Sequence, residues 1–161
     1  MFRVSCIQLR SNNNIHHNLK QTTVLIKKAV LQKTDFILTP EVSSQFSLKK
    51  NELLKTCTPM NRDIYLNGVK KLAKKYKKWI LVVSVIIKVS KNKLVNRSIL
   101  IDKKGKIRSF YDKIHMYDVV LSKKEKYFES KIFNAGKNQK IFNLPWGKLC
   151  LLYTSDAADE P

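Results

Sequence analysis

What this 161-residue chain lacks narrows its reading first. Its three cysteines, Cys6, Cys57 and Cys150, form no Cys-x-x-Cys pair and have no histidine at metal-ligand spacing, which argues against both a zinc site and a disulfide framework. Cys6 falls in a strand pattern, where a small core residue is expected. Long hydrophobic runs are also missing. The most apolar stretch, residues 79–89, is far too short to span a bilayer and is rich in β-branched residues, so it reads as a buried strand. The opening Met1-Phe2-Arg3-Val4-Ser5-Cys6 has no basic region leading into an apolar run. No signal peptide is therefore expected, and the chain reads as cytoplasmic, without a membrane partner. Internal repeats are absent, and a hydrophobic content of 43% suits a single globular domain with a sizeable core.

Acidic residues are scarce, 12 against 32 Lys and Arg, for a formal net charge of +20. Clustered basic side chains would neutralise phosphates of a nucleic acid or an acidic membrane. Here the lysines are dispersed in short groups, such as Lys70-Lys71, Lys74-Lys75 and Lys123-Lys124, without an arginine-rich stripe or an interleaved aromatic platform. The pattern fits a solvated lysine-rich surface better than a nucleic-acid partner.

What is present reads as a series of α/β units. Residues 2–9 suggest a strand, and 15–33 an amphipathic helix with Ile15, Leu19, Ile26 and Ala29/Val30 on one face. Residues 35–38 suggest a short strand. Residues 61–78 suggest a second helix, with Leu66, Val69, Leu72/Ala73 and Tyr76 apolar and lysines opposite. After the strand at 79–89, residues 95–101 and 106–111 pair as a hairpin, because Gly105 can take the positive φ that the intervening turn requires. This order predicts a mixed sheet with helices packed on one side. Residues 111–134 carry few regular features, and irregular loops on a rigid scaffold are where reactive groups tend to sit.

Three places carry candidate chemistry. In Phe36-Ile37-Leu38-Thr39-Pro40-Glu41 a carboxylate follows an apolar strand and a proline, where it can serve as a general base. Read alone, Glu41 fits a helix-starting or solvated glutamate better. In Tyr111-Asp112-Lys113-Ile114-His115-Met116-Tyr117-Asp118 a lysine sits among aromatics, where its ammonium can stabilise a developing oxyanion. The third is Phe128-Glu129-Ser130. Periodicity alone separates neither Lys113 nor Glu129 from ordinary surface residues.

Together these segments, with Gly136 beyond them, resemble the nitrilase superfamily of carbon-nitrogen hydrolases, in the branch containing deaminated glutathione amidase and omega-amidase. The lysine block is the most specific, resembling Tyr-Arg-Lys-Ile-His-Leu/Met-Phe-Asp, and the sixteen-residue separation of Lys113 and Glu129 is similar to that between the family's lysine and its second glutamate. Gln8, Asn18, Asn96 and Pro145-Trp146-Gly147-Lys148 agree more weakly. The departures are Thr39 for a leucine before Pro40-Glu41, Asp112 for the arginine before Lys113, and the lack of a glycine in Val82-Val83-Ser84. The resemblance implies an α/β fold of the nitrilase type, a truncated α-β-β-α sandwich, and a Cys-Glu-Lys mechanism on a small-molecule amide. It implies neither metal nor cofactor, and a homo-oligomer for the full-length protein. Glu41 would be the general base, Lys113 the oxyanion ligand, and Glu129 would orient the substrate nitrogen or hold Lys113.

The family's nucleophile follows Gly-Lys in a run resembling Gly-Lys-Leu-Gly-Leu-x-Ile-Cys-Tyr-Asp. Counting from Lys148 places it at position 154, which here is Thr154. Cys150 is four residues early, in a strand position expected to be buried and away from Glu41 and Lys113, so it is not assigned as nucleophile. From residue 150 the composition loses Lys, Arg, Asn and Ile, and the terminal string resembles the translation of a sequencing-library adapter. Residues 1–149 are accordingly expected to be the N-terminal part of a carbon-nitrogen hydrolase domain, and 150–161 a non-native tail. The competing expectation is a catalytically dead sandwich-fold binding module. The nucleotide sequence across codons 149–161 separates the two: an adapter sequence is the expected outcome, whereas genomic sequence running through Thr154-Ser155-Asp156 supports the dead module.

Overall fold

The computed structural model describes residues 2–151. Its centre is a five-stranded sheet in the order β1-β2-β3-β4-β5, comprising β1 (Val4–Cys6), β2 (Phe36–Thr39), β3 (Trp79–Ser90), β4 (Lys93–Ile101) and β5 (Ile107–Asp112). β1, β2 and β3 run parallel, joined through helices α1 (Ile15–Leu31) and α3 (Ile64–Tyr76), whereas β3, β4 and β5 are antiparallel neighbours. This is the expected mixed sheet, with Gly105 in the β4–β5 turn at φ +74°. β3 and β4 form a second hairpin, which puts the two longest strands side by side at the centre of the sheet.

Strand alternation divides the sheet into two faces. Ile37, Ile80, Val82, Ile99 and Ile101 pack with Ile26 and Ala29 of α1 and with Tyr65, Leu66, Val69 and Ala73 of α3. Phe36, Leu81, Leu100 and Tyr111 point the other way. They meet Phe142, Leu144 and Leu151 of a further hairpin, β8 (Lys140–Leu144) with β9 (Gly147–Leu151). The layering is helix, sheet, then strand hairpin. Among the described residues no helix is long and apolar enough to cross a membrane.

Several elements differ from expectation. A short helix, α2 (Lys50–Thr56), interrupts the stretch between β2 and α3, and the region after β5 holds a small ribbon of β6 (Asp118–Val120) and β7 (Lys126–Phe128) followed by one 3-10 turn, Glu129–Lys131. Cys6 is exposed and not a core residue. β1 is an edge strand, and its alternation aims Ser5 at Thr34 and Ile7 into the core beneath α1, leaving Cys6 on the opposite face. Cys150 lies on a strand as expected, but it too is exposed, paired with Ile141 on the outer side of the β8–β9 hairpin. Of the proposed tail, Cys150 and Leu151 complete β9, and residues 152–161, position 154 among them, lie outside the described residues.

The start of α3 carries a buried charge. Asp63 caps the helix by accepting the Leu66 N–H at 2.7 Å, and burial pushes its pKa from 3.8 up to about 6 despite that bond. A carboxyl raised in the folded state contributes stability that is complete below its unfolded value and is lost as pH rises through the folded one. Asp63→Asn keeps a capping oxygen and removes the charge. It is expected to melt above the wild type at about pH 8, by at most roughly 3 kcal/mol of stability, with the advantage disappearing toward about pH 4. Thermal denaturation of both forms across that range checks this, and a pH-independent difference would refute it.

Candidate active site

The three candidate groups converge where β2, β3 and β5 run toward their carboxyl ends. β2 ends at Thr39, and Pro40 precludes further strand pairing through its missing N–H, so Glu41 leaves the sheet edge directly. Val42 follows at φ +50°, a left-handed conformation that a β-branched residue rarely adopts. The loop is held there by Ser43, which donates both its N–H (3.2 Å) and its hydroxyl (3.1 Å) to the Ser84 carbonyl. Thr39 adds a hydroxyl contact to Ser43 at 3.0 Å.

Lys113 sits just past β5 and is 6% exposed. Its main chain is clamped on both sides: its N–H donates to the Asn96 carbonyl at 2.9 Å, and its carbonyl accepts the Gly136 N–H at 2.8 Å. Gly136 packs so tightly that an added Cβ would lie 2.1 Å from the Asp112 carbonyl oxygen, so only glycine lets the two segments approach. The Lys113 ammonium donates to Glu129 Oε2 at 2.8 Å and to Glu41 Oε1 at 3.5 Å. Glu129 Oε2 also accepts the Tyr117 N–H at 2.7 Å. The loop bearing Glu129 is tied down by Asp118, whose carboxylate accepts the Ser130 hydroxyl and N–H at 2.5 and 3.0 Å. The Ser130 hydroxyl bond, with the N–H second, holds the Asp118 pKa below its ordinary value.

Glu129 is thus in direct contact with the Lys113 ammonium. Glu41 is the more open carboxylate, with its side chain 46% exposed against 15% for Glu129. Both border a cavity of about 620 Å³ with apolar walls that include Phe46, Ile86, Phe128 and Phe133. Asp112, the departure noted beside Lys113, is engaged elsewhere: Arg97 grips it with Nε at 2.6 Å and a second nitrogen at 2.8 Å.

Two residues to which the sequence assigned no role complete the cluster. Asn96 donates its side-chain N–H to Glu41 Oε1 at 3.1 Å, and the Ser84 hydroxyl donates to the Asn96 side-chain oxygen. Ser84 lies at a register irregularity of β3 between Val82 and Val85. The missing glycine in Val82-Val83-Ser84 was the one sequence signal near it.

Among the described residues no cysteine lines this cavity. Cys57 is buried in a neighbouring cluster with Leu53, Ile86 and Leu94, where its sulfur accepts from Gln45 at 2.7 Å. Burial pushes its thiol up to about 12, the opposite of an activated nucleophile. The described residues contain no group of three His, Cys, Asp or Glu side chains able to hold a metal ion.

Compared with known proteins, residues 3–156 match the carbon-nitrogen hydrolase family. The deaminated glutathione amidase of Yersinia enterocolitica is 29% identical over 153 residues, covering 91% of this chain and 51% of that protein. The Dictyostelium discoideum enzyme of the same name is 29% identical over 161 residues, covering 92% and 54%. The crystal structure of NitFhit from Caenorhabditis elegans superposes with a TM-score of 0.85 at 25% identity, covering 98% of this chain and 40% of that one. An amidase from Nesterenkonia sp. AN1 superposes at 0.77 over 93% of this chain and 56% of its own, and at 16% identity it speaks for the fold alone. The chain thus spans about half the length of these two amidases.

The two ion pairs of Lys113 differ in burial and distance, so their loss should differ in cost. Glu129→Gln leaves a buried ammonium without its close partner and is expected to destabilise by on the order of 3 kcal/mol. Glu41→Gln removes a longer, half-exposed pair and should cost less than about 1 kcal/mol. Chemical denaturation of the two variants checks this ordering, and equal costs would contradict it.

Proposed function

The chain belongs to the carbon-nitrogen hydrolase family, and from that premise we propose that its cavity hydrolyses a linear amide to a carboxylic acid and ammonia through a cysteine thioester. The observation that carries this reading is the Lys113 ammonium held between Glu41 and Glu129 at the wall of an apolar cavity. In the proposed reaction Glu41 takes the proton of a cysteine thiol, and the thiolate attacks the amide carbon. Lys113 stabilises the oxyanion of the tetrahedral intermediate, while Glu129 fixes the ammonium. Glu41 returns the proton to the leaving nitrogen, ammonia departs and a thioester remains. Glu41 then activates water by taking its proton, the second tetrahedral intermediate collapses, and the acid and the regenerated thiol are released. The thiol comes from outside the described residues, at the position that Thr154 holds in this sequence. The substrate class follows the name deaminated glutathione amidase that two of the relatives carry, with omega-amidase, from the sequence resemblance, as the alternative.

A second reading is a catalytically dead sandwich-fold binding module, in which Thr154 is the native residue at the nucleophile's position. Both readings give the 161-residue chain no amidase activity, and they part on the complete gene. Under the first, the full-length protein carries a cysteine near position 154 and turns over a short dicarboxylic monoamide. Replacing that cysteine or making Glu41→Gln abolishes turnover, and Lys113→Met loses on the order of a hundredfold in rate. Ammonia release by purified protein checks these outcomes. Turnover by the 161-residue chain that vanishes in Cys150→Ala would instead make Cys150 the nucleophile.

A further inference from the structure

The two oxygens of Glu41 are not equivalent. Oε1 is engaged twice, by the Asn96 side-chain N–H at 3.1 Å and by the Lys113 ammonium at 3.5 Å. Oε2 has no hydrogen-bond partner among the described residues, and Glu41 is one of the residues bordering the cavity. An amide side chain can present either its N–H or its oxygen to a neighbour, and these have opposite effects on a carboxylate. Here the choice is made by Ser84. Its hydroxyl donates to the Asn96 side-chain oxygen, which turns the N–H toward Glu41. Asn96 is 1% exposed and Ser84 fully buried, so solvent does not compete for either group. The Ser84 carbonyl meanwhile accepts the N–H and hydroxyl of Ser43, two residues after Glu41. One residue therefore fixes both the backbone leaving Glu41 and the orientation of the amide that grips its carboxylate.

We propose that Ser84 and Asn96 are the positioning residues of Glu41: together they dedicate Oε1 to anchoring and leave Oε2 as the atom that carries protons in the cavity. The inference rests on the reading of Glu41 as the proton carrier. Neither residue touches the reacting atoms. Their contribution is to hold one carboxylate oxygen in line between thiol, leaving nitrogen and water, a placement on which proton transfer depends steeply.

The geometry is tested on the 161-residue chain, without any need for activity. In 1H–15N spectra the Asn96 side-chain amide signals are expected to shift in Glu41→Gln, and solvent exchange of the amide protons to speed up about tenfold in Ser84→Ala, the loss of one hydrogen bond. An Asn96 signal indifferent to either substitution overturns the proposal. Glu41→Gln alters a half-exposed side chain, so this arm stands even where Ser84→Ala fails to fold. The positioning role is tested in the full-length protein. Ser84→Ala should lower kcat about tenfold with KM within about twofold, and Ser84→Thr, which restores a hydroxyl, should recover most of it. Parallel changes in kcat and KM, or no change, overturn the positioning role. Coupled Asn96 signals in a full-length protein without amidase activity would sink the hydrolase reading and leave the geometry standing.

Discussion

The burial of the Lys113 ammonium is the constraint around which this half of the molecule is arranged. At 6% exposure the group has given up its water, a penalty of several kcal/mol that only close, well-oriented carboxylates offset. The two that do so come from opposite sides and by different means. Glu129 arrives on a loop whose shape is set by hydrogen bonds of Asp118 to Ser130 and of Tyr117 to the glutamate itself. Glu41 arrives at the end of a buried parallel strand, through a turn that forces Val42 into the left-handed region. That strained turn persists because Thr39, Ser43 and Ser84 hold it with several hydrogen bonds. Asp112, which stands where the family has an arginine, is engaged by the bidentate Arg97 grip.

How much of this was legible in the sequence depended on the length scale of each signal. α1 and α3 announce themselves because their apolar faces repeat over several turns, and the β4–β5 hairpin because Gly105 marks its turn. α2 and the strands of the β6–β7 ribbon are a few residues each, too short for a local period to betray them. Cys6 misled for a related reason. Its strand pattern is real, but whether a strand residue is covered depends on which face it takes and what lies over it, and β1 is at the sheet edge.

The cluster around Lys113 divides in the same way. Glu41, Lys113 and Glu129 were named through resemblance to a family, since charged residues beside strand ends are common and periodicity ignores them. Ser84 and Asn96 carried no role because they look like ordinary strand residues. Their meeting depends on the register irregularity of β3 between Val82 and Val85, which reverses the alternation there. Ser84 thereby reaches the Asn96 side-chain oxygen, and a bulge of that kind is decided by strand pairing more than by the residues within it.

Two carboxylates face one ammonium, and the asymmetry between them gives the arrangement its chemical sense. Glu129 is close, shielded and held by a main-chain N–H, so it remains the counter-ion of Lys113 whatever else happens. Glu41 is more distant from the ammonium and opens to the cavity. In the proposed reaction it gains and loses a proton in each half of the cycle, and each time its charge disappears Lys113 is still paired. A single glutamate doing both jobs would strip a buried ammonium of its partner at the moment that ammonium must face an oxyanion. Dividing the work between a fixed carboxylate and a titrating one removes that conflict. It also gives a purpose to the Asn96 amide, which anchors Glu41 on the oxygen that the reaction does not use.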